Sequence, residues 1–188
     1  MRPNWFFGFP IDDAFLLELP PLPKSFHHFH EHDVHMTLAF LGGCGEEAAM
    51  RALSALDERL AREPIRTMDI ALGEVVAMGS PRRYTALSAL LAQGREEAAS
   101  CVTAYRDVLT ETAAGRRDER PAKPHVTIAR PRRRATDADR EAGLEWAATV
   151  DLRSVSATLD RVALYTWSEK RVDQMFRIVA ERRLVSRR

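Results

Sequence analysis

Two short stretches, 90 positions apart, constrain this chain more than anything else in it. His35-Met36-Thr37-Leu38-Ala39-Phe40-Leu41-Gly42 is echoed by His125-Val126-Thr127-Ile128-Ala129-Arg130. Both read H-x-T, then an apolar residue, then Ala. The alternation is that of a β-strand, whose side chains switch faces at every residue. His35 and Thr37 therefore share one face, and His125 and Thr127 share one on the second strand. Met36, Leu38 and Phe40 fall on the opposite face of the first strand, and Val126 and Ile128 on that of the second. Each strand buries its apolar face and offers an imidazole and a hydroxyl, about 7 Å apart, on the other.

Two such strands facing each other put two imidazoles across a cleft. One, neutral, can take a proton from water or a hydroxyl, and the other, protonated, can give one to a leaving oxygen. Histidine suits both tasks because its ordinary pKa lies near neutrality. The threonine hydroxyls would bond the oxygens of a tetrahedral group held between them, and a phosphate needs such donors. A half-buried structural histidine is the bland alternative for one copy of the motif. Two copies in the same apolar phase favour the catalytic reading.

The pair resembles the signature of the two-histidine (2H) phosphoesterases. It is most similar to the bacterial branch of 2′-5′ RNA ligase-like proteins, also called RNA 2′,3′-cyclic phosphodiesterases. That branch carries H-x-T-L-x-F-L-G as its first motif and H-x-T-x-x-R as its second, and both stand here unaltered. The resemblance implies a two-lobed α+β fold with a central groove. It implies metal-independent hydrolysis of 2′,3′-cyclic phosphate ends of RNA or nucleotides to a 2′-phosphate, with reversible 2′-5′ joining as the related reaction. His35 and His125 would be catalytic, and Thr37, Thr127 and Arg130 would bind substrate, with no cofactor and no metal. Strict alternation sets Arg130 on the face opposite His125, so the strand is expected to end or bulge before Pro131.

The chain has 188 residues, enough for one domain (1–188) with a core of its own. A net charge of +1 announces no polyanion-binding field, so any such surface must be local. Cys44 and Cys101 have no metal or redox spacing and read as free buried thiols. No apolar run reaches the ~20 residues needed to span a bilayer, and the N-terminus is a poor signal peptide. The expectation is a cytoplasmic monomer that uses no membrane.

In order, strands are expected at Asn4–Ile11, His35–Gly42, Ile65–Met78, Tyr84–Leu91, His125–Arg130, Val155–Trp167 and Gln174–Leu184. Helices are expected at Glu46–Arg62, Gly94–Ala114 and Thr136–Ala148, the last capped by Thr136. Ala14–Leu19 is one or two helical turns, and Pro20, Pro21 and Pro23 force an extended link. Turns fall at Gly79-Ser80-Pro81, with Arg82 and Arg83 beside it, and at Ser168–Arg171. The arginines at 182, 183, 187 and 188 read as a disordered tail. The fold class is α+β: two antiparallel-rich sheets, each bearing one H-x-T strand, face a central groove with helices packed outside.

Three features remain open. His28, His30 and His32 alternate, so on a strand they share a face and could hold a zinc-like ion, with Glu31 and Asp33 nearby. A solvated polar segment is the alternative and the one favoured. From Arg116 to Arg134 there are eight Lys or Arg and two acids, which suits a polyanion beside the second motif or is a solvated loop. Trp167 is a candidate for stacking on a base, or for packing. Two other functions compete with the phosphodiesterase: a non-catalytic nucleotide- or RNA-binding module with the same groove, and a metal-dependent hydrolase built on the cluster from His27 to His35.

Overall fold

The computed structural model describes residues 2–12, 14–80, 83–170 and 174–187. The order is β1 (Trp5–Pro10), β2 (Phe26–His28), β3 (His35–Gly42), α1 (Glu46–Arg62), β4 (Met68–Met78), β5 (Ala86–Gln93), α2 (Arg95–Thr112), β6 (His125–Pro131), α3 (Asp137–Thr149), β7 (Ser156–Leu159), β8 (Arg161–Trp167) and β9 (Phe176–Arg183). Single 3₁₀ turns lie at Ala14–Glu18 and Glu31–Asp33. The expected helices and all but one of the expected strands form, within a few residues at their ends.

The strands make one curled sheet, ordered β7-β4-β5-β6-β3-β1-β8-β9, with β2 also paired to β6, at Ala129–Pro131. All of its ladders are antiparallel. The two expected half-sheets are recognisable within it. One holds β7, β4, β5, β6 and β2, the other β3, β1, β8 and β9, and they meet at a single ladder pair, Met36 with Val126. Both residues are fully buried. α1 and α2 pack on each other, α2 lies against β3 and β4, and α3 lies against β4 and β6.

Apolar phase explains each helix's placement. α1 buries Ala49, Ala52, Leu53 and Leu56, and its acidic first turn, Glu46 and Glu47, complements the helix dipole. α3 begins in a capping box: Asp139 N–H donates to Thr136 Oγ1 at 3.2 Å, and Thr136 N–H donates to Asp139 Oδ2 at 2.7 Å. Tyr84, read as the start of a strand, precedes β5 instead. Its ring is buried and its hydroxyl donates to the Arg140 carbonyl in α3 at 2.6 Å.

Two expectations need correcting. The stretch Val155–Trp167 is two strands, because the chain turns at Asp160. β7 pairs with β4 in one lobe and β8 with β1 in the other, so this turn carries the chain across the molecule. The arginines at 182, 183 and 187 are also part of the structure, and Arg188 of the expected tail lies outside the described residues. Arg182 sits in β9 and grips Asp57 of α1 with two hydrogen bonds, of 2.6 and 2.8 Å. Beyond β9, Val185 N–H donates to the Ile65 carbonyl and Thr67 N–H to the Val185 carbonyl, and Arg187 pairs with Glu97 of α2. Pro81, Arg82 and Arg171 of the expected turns lie outside the described residues.

Gly143 marks where α3 meets this framework. A Cβ there would collide with the Phe26 ring and the Tyr84 hydroxyl. Gly143→Ala should therefore destabilise the fold by about 1–3 kcal/mol, despite the better helix propensity of alanine. Urea unfolding of the two proteins checks this, and an unchanged midpoint would contradict the packing described.

Candidate active site

The Met36–Val126 pair decides the geometry of the site. An antiparallel pair has a local two-fold axis through it, and here each strand carries the same motif across that axis. His35 and Thr37 flank Met36, and His125 and Thr127 flank Val126. Met36 and Val126 point into the core, so all four polar side chains stand on the other, groove-side face. With one ladder pair only, β3 and β6 diverge on either side of it, which opens the groove between the lobes.

The two-fold extends into the backbone. On β3, Ala39 faces Phe7 and Thr37 faces Gly8, leaving Leu38 as an extra residue. On β6, Ala129 faces Leu87 and Thr127 faces Ser88, leaving Ile128 as an extra residue. Each strand thus bulges directly after its threonine, and two consecutive residues, Leu38-Ala39 and Ile128-Ala129, are buried. The bulge reverses the phase. Arg130 comes back to the groove face, as expected, and so does Phe40, which alternation alone places on the core side. Phe40 is the ladder partner of Phe6, whose ring lies 4.6 Å from that of His35.

Both imidazoles are held in the same way. His35 Nδ1–H donates to the Asp33 carbonyl at 2.6 Å, and His125 Nδ1–H donates to the Lys123 carbonyl at 2.6 Å. A carbonyl can only accept, so Nδ1 carries the hydrogen in each ring. In the neutral form Nε2 is then the free base. Their surroundings differ. His35 is packed among Phe6, Tyr165, Phe176 and Phe29, with ring centroids 4.6 to 6.4 Å away. Burial drives its pKa down to about 4, and the charges of Arg130 and His125 push the same way. Burial also lowers His125, followed by Lys123 and Arg130, but less far.

Arg130 completes the constellation. Its guanidinium stands 5.2 Å over the Phe29 ring. Its Nε is buried and meets no acceptor among the described residues. A buried cationic donor with an open bond, facing two imidazoles, fits an anion.

Several residues contribute in ways the sequence did not signal. Asp33 is fully buried, and its two carboxylate oxygens accept from the N–H groups of Met175 and Phe176, both at 2.8 Å. It clamps the turn under His35 to the start of β9. Ser88 is also fully buried, and its Oγ lies 3.2 Å from Thr127 Oγ1. Gly8 leaves room for His35, since a Cβ there would lie 3.2 Å from the ring's Cδ2 and 3.1 Å from the Met36 carbonyl. The Tyr165 hydroxyl is buried without a partner among the described residues. Trp167 is half-buried and packs against the core.

The segment before β3 is not the continuous strand on which alternation would give the histidines a shared face. β2 ends at His28, and the chain turns into the 3₁₀ segment Glu31–Asp33. His30 caps that turn by accepting from His32 N–H. Among the described residues no three His, Cys, Asp or Glu side chains converge on a point that could hold a metal ion. Cys44 and Cys101 are free and half-buried, and burial pushes the Cys101 thiol up to about 12. Among the described residues no helix is long and apolar enough to cross a membrane.

The lowered pKa of His35 links stability to pH. Below its ordinary value of 6.5 the unfolded chain takes up a proton that the folded chain refuses until about pH 4. The contribution of His35 is present above pH 6.5 and is lost progressively as pH falls from there to about 4. The stability difference between the wild type and His35→Leu should therefore shift in favour of the variant across that window. A difference that stays constant from pH 7 to 4 would show that His35 is not held neutral.

Comparison with known proteins places this geometry. Residues 22–171 match the family model of the 2′-5′ RNA ligase superfamily. Comparison with curated proteins gives no match. Among solved structures, TT0787 of Thermus thermophilus is similar at a TM-score of 0.71 and 18% identity, over 98% of this chain and 100% of that one. E. coli LigT complexed with 3′-AMP is similar at 0.68 and 17%, over 98% and 99%. Usb1 of Kluyveromyces marxianus is similar at 0.54 and 10%, over 94% and 96%. LigT has also been solved with NADP⁺, ATP and phosphate. The twin H-x-T strands thus lie in a fold shared with these proteins, and the chain belongs to the 2′-5′ RNA ligase superfamily of two-histidine phosphoesterases.

Proposed function

We propose that this protein hydrolyses 2′,3′-cyclic phosphate ends of RNA or nucleotides to a 2′-phosphate, without a metal, using His35 and His125 as its acid–base pair. The observation that carries the reading is the twinned anchoring of the two imidazoles beside Arg130, whose buried Nε meets no acceptor among the described residues. A phosphate seated there would meet an Nε2 from each side, which is what in-line displacement requires. Thr37, Thr127 and Arg130 would hold the non-bridging oxygens, with Ser88 orienting Thr127.

The unequal surroundings divide the labour. His35, kept neutral by its aromatic cage, takes the proton of the attacking water as the oxygen–phosphorus bond forms. His125 gives its proton to the departing 3′ oxygen as that bond breaks. The products are a 2′-phosphate and a free 3′ hydroxyl, and the pair ends with its protons exchanged. With a 5′ hydroxyl in place of water, the same steps join a 2′-5′ bond and free the 3′ hydroxyl, and run backwards they cleave it, which suits the superfamily's name.

Turnover of nucleoside 2′,3′-cyclic phosphates in EDTA tests the proposal. His35→Ala and His125→Ala should each lower kcat by at least ~100-fold. Near-full activity in either variant removes that histidine from the mechanism, and activity lost to EDTA but restored by zinc would overturn the metal-free reading.

The pH profile tests the assignment of roles. The base must be neutral and the acid charged, so kcat/KM should peak below pH 6.5, falling on the acid side near pH 4 as His35 protonates. It should fall on the alkaline side as His125 loses its proton. A maximum well above pH 7 would refute this division.

A further inference from the structure

The proposed chemistry leaves one buried ionisable group without a task. Asp33 is the only acidic side chain fully buried among the described residues. Burial pushes its carboxyl up, and the N–H groups of Met175 and Phe176 pull against that rise. Both donors are backbone amides at the entrance to β9, each at 2.8 Å. An ionised carboxylate accepts two such bonds at once and donates none. Burying one is costly, and two backbone bonds offset that only in part.

The segment that carries Asp33, the link from β2 to β3, bridges the two halves of the sheet. At one end Phe29 N–H donates to the Ile128 carbonyl of β6 at 3.3 Å, and at the other Ile11 N–H, just after β1, donates to the Val34 carbonyl at 3.1 Å. Asp33 N–H closes the turn between them on the His30 carbonyl at 2.8 Å. The Asp33 carboxylate adds the tie to β9. Two supports of the site sit on this link. The Asp33 carbonyl holds His35 Nδ1–H at 2.6 Å, and the Arg130 guanidinium stands 5.2 Å over the Phe29 ring. Phe176, whose N–H bonds Asp33, also turns its ring to His35, edge to face at 5.7 Å. The carbonyl that holds His125 belongs instead to Lys123, an exposed residue of the loop before β6.

We propose that Asp33 is a positioning residue for both sides of the anion centre, its carboxylate fixing the link so that the Asp33 carbonyl aims His35 and the Phe29 ring holds Arg130. The inference rests on the phosphodiesterase reading for what His35 and Arg130 do. An aromatic platform holds a guanidinium in place, whereas an acidic partner would cancel its charge. The clamp also has a pH limit. Protonation puts an O–H on one carboxyl oxygen, which then faces an N–H that it no longer accepts. Burial raises Asp33 and lowers His35 to about 4, so the two titrations move toward one another. Arg130 and His125 of β6 face His35, and His30 and His32 of the link, with Tyr165 of β8, lie around Asp33. Loss of the base and loss of its support then coincide as pH falls.

Asp33→Asn keeps the shape and replaces one acceptor oxygen by an NH₂ group. With inorganic phosphate as the probe, the variant should bind about 5-fold more weakly, because Arg130 loses its platform. The His35 ring, followed by NMR titration, should move up by about one pH unit toward its ordinary value as its cage loosens. kcat on nucleoside 2′,3′-cyclic phosphates should fall by about 10- to 100-fold. A folded Asp33→Asn that binds phosphate and titrates His35 like the wild type overturns the inference. Should the variant not fold, the wild type decides. Its Asp33 carboxyl carbon and His35 ring should titrate within about one pH unit of each other, and midpoints further apart overturn the coupling. If phosphate binding and titration behave as expected but cyclic phosphates are not hydrolysed, the proposed reaction fails and the positioning role stands.

Discussion

A single rung between two strands organises this molecule. Met36 and Val126 are each buried at the centre of an H-x-T motif, and they pair with one another across the seam of the sheet. Antiparallel pairing brings its own two-fold axis, so two copies of one short sequence become two halves of one site. The buried pair turns both imidazoles and both hydroxyls to the same side. Because the ladder goes no further, the strands part at once and leave a groove between them. Other strand orders could bury the same apolar residues, but few would set the polar ones face to face.

The symmetry is broken by what surrounds it. Beneath His35 lies a turn clamped by the buried carboxylate of Asp33, and around it stand aromatic rings from four segments. His125 leans on the carbonyl of Lys123, at the end of an open basic loop. Burial therefore acts on the two rings unequally, although their hydrogen bonds are the same length. Chemically equivalent side chains acquire different proton affinities through desolvation more than through any direct partner.

Much of this was legible in the chain because β-strands have a period of two and the motif recurs in phase. The helices were legible from their apolar stripes, and the start of α3 from Thr136 and Asp139. What escaped has physical reasons. Val155–Trp167 alternates without interruption, and the turn at Asp160 follows from where β7 and β8 find partners, which is tertiary information. His28, His30 and His32 share a face only if the segment stays extended, and a 3₁₀ turn breaks the alternation. Arg182 reads as tail in sequence because its partner, Asp57, lies 125 positions away. Phe6, Phe29, Tyr165 and Phe176 are ordinary hydrophobes in sequence, and only the fold gathers them around His35. Alternation sets Phe40 on the wrong face because bulges leave no mark in composition. The bulge that brings Arg130 back could be anticipated because a role was implied for it, whereas Phe40 stands in the first motif with no role attached.

The residues after β9 carry a consequence for the groove as a whole. The halves of the sheet touch at its middle through one rung, which alone would act as a pivot. The last residues of the chain leave the second half and knit onto Ile65 and Thr67 at the entrance to the first, with Arg187 fastened to α2. The aperture between the lobes is therefore braced from outside, by the contacts of Val185 and Arg187. Its width becomes a property of the end of the polypeptide as much as of the residues that line it.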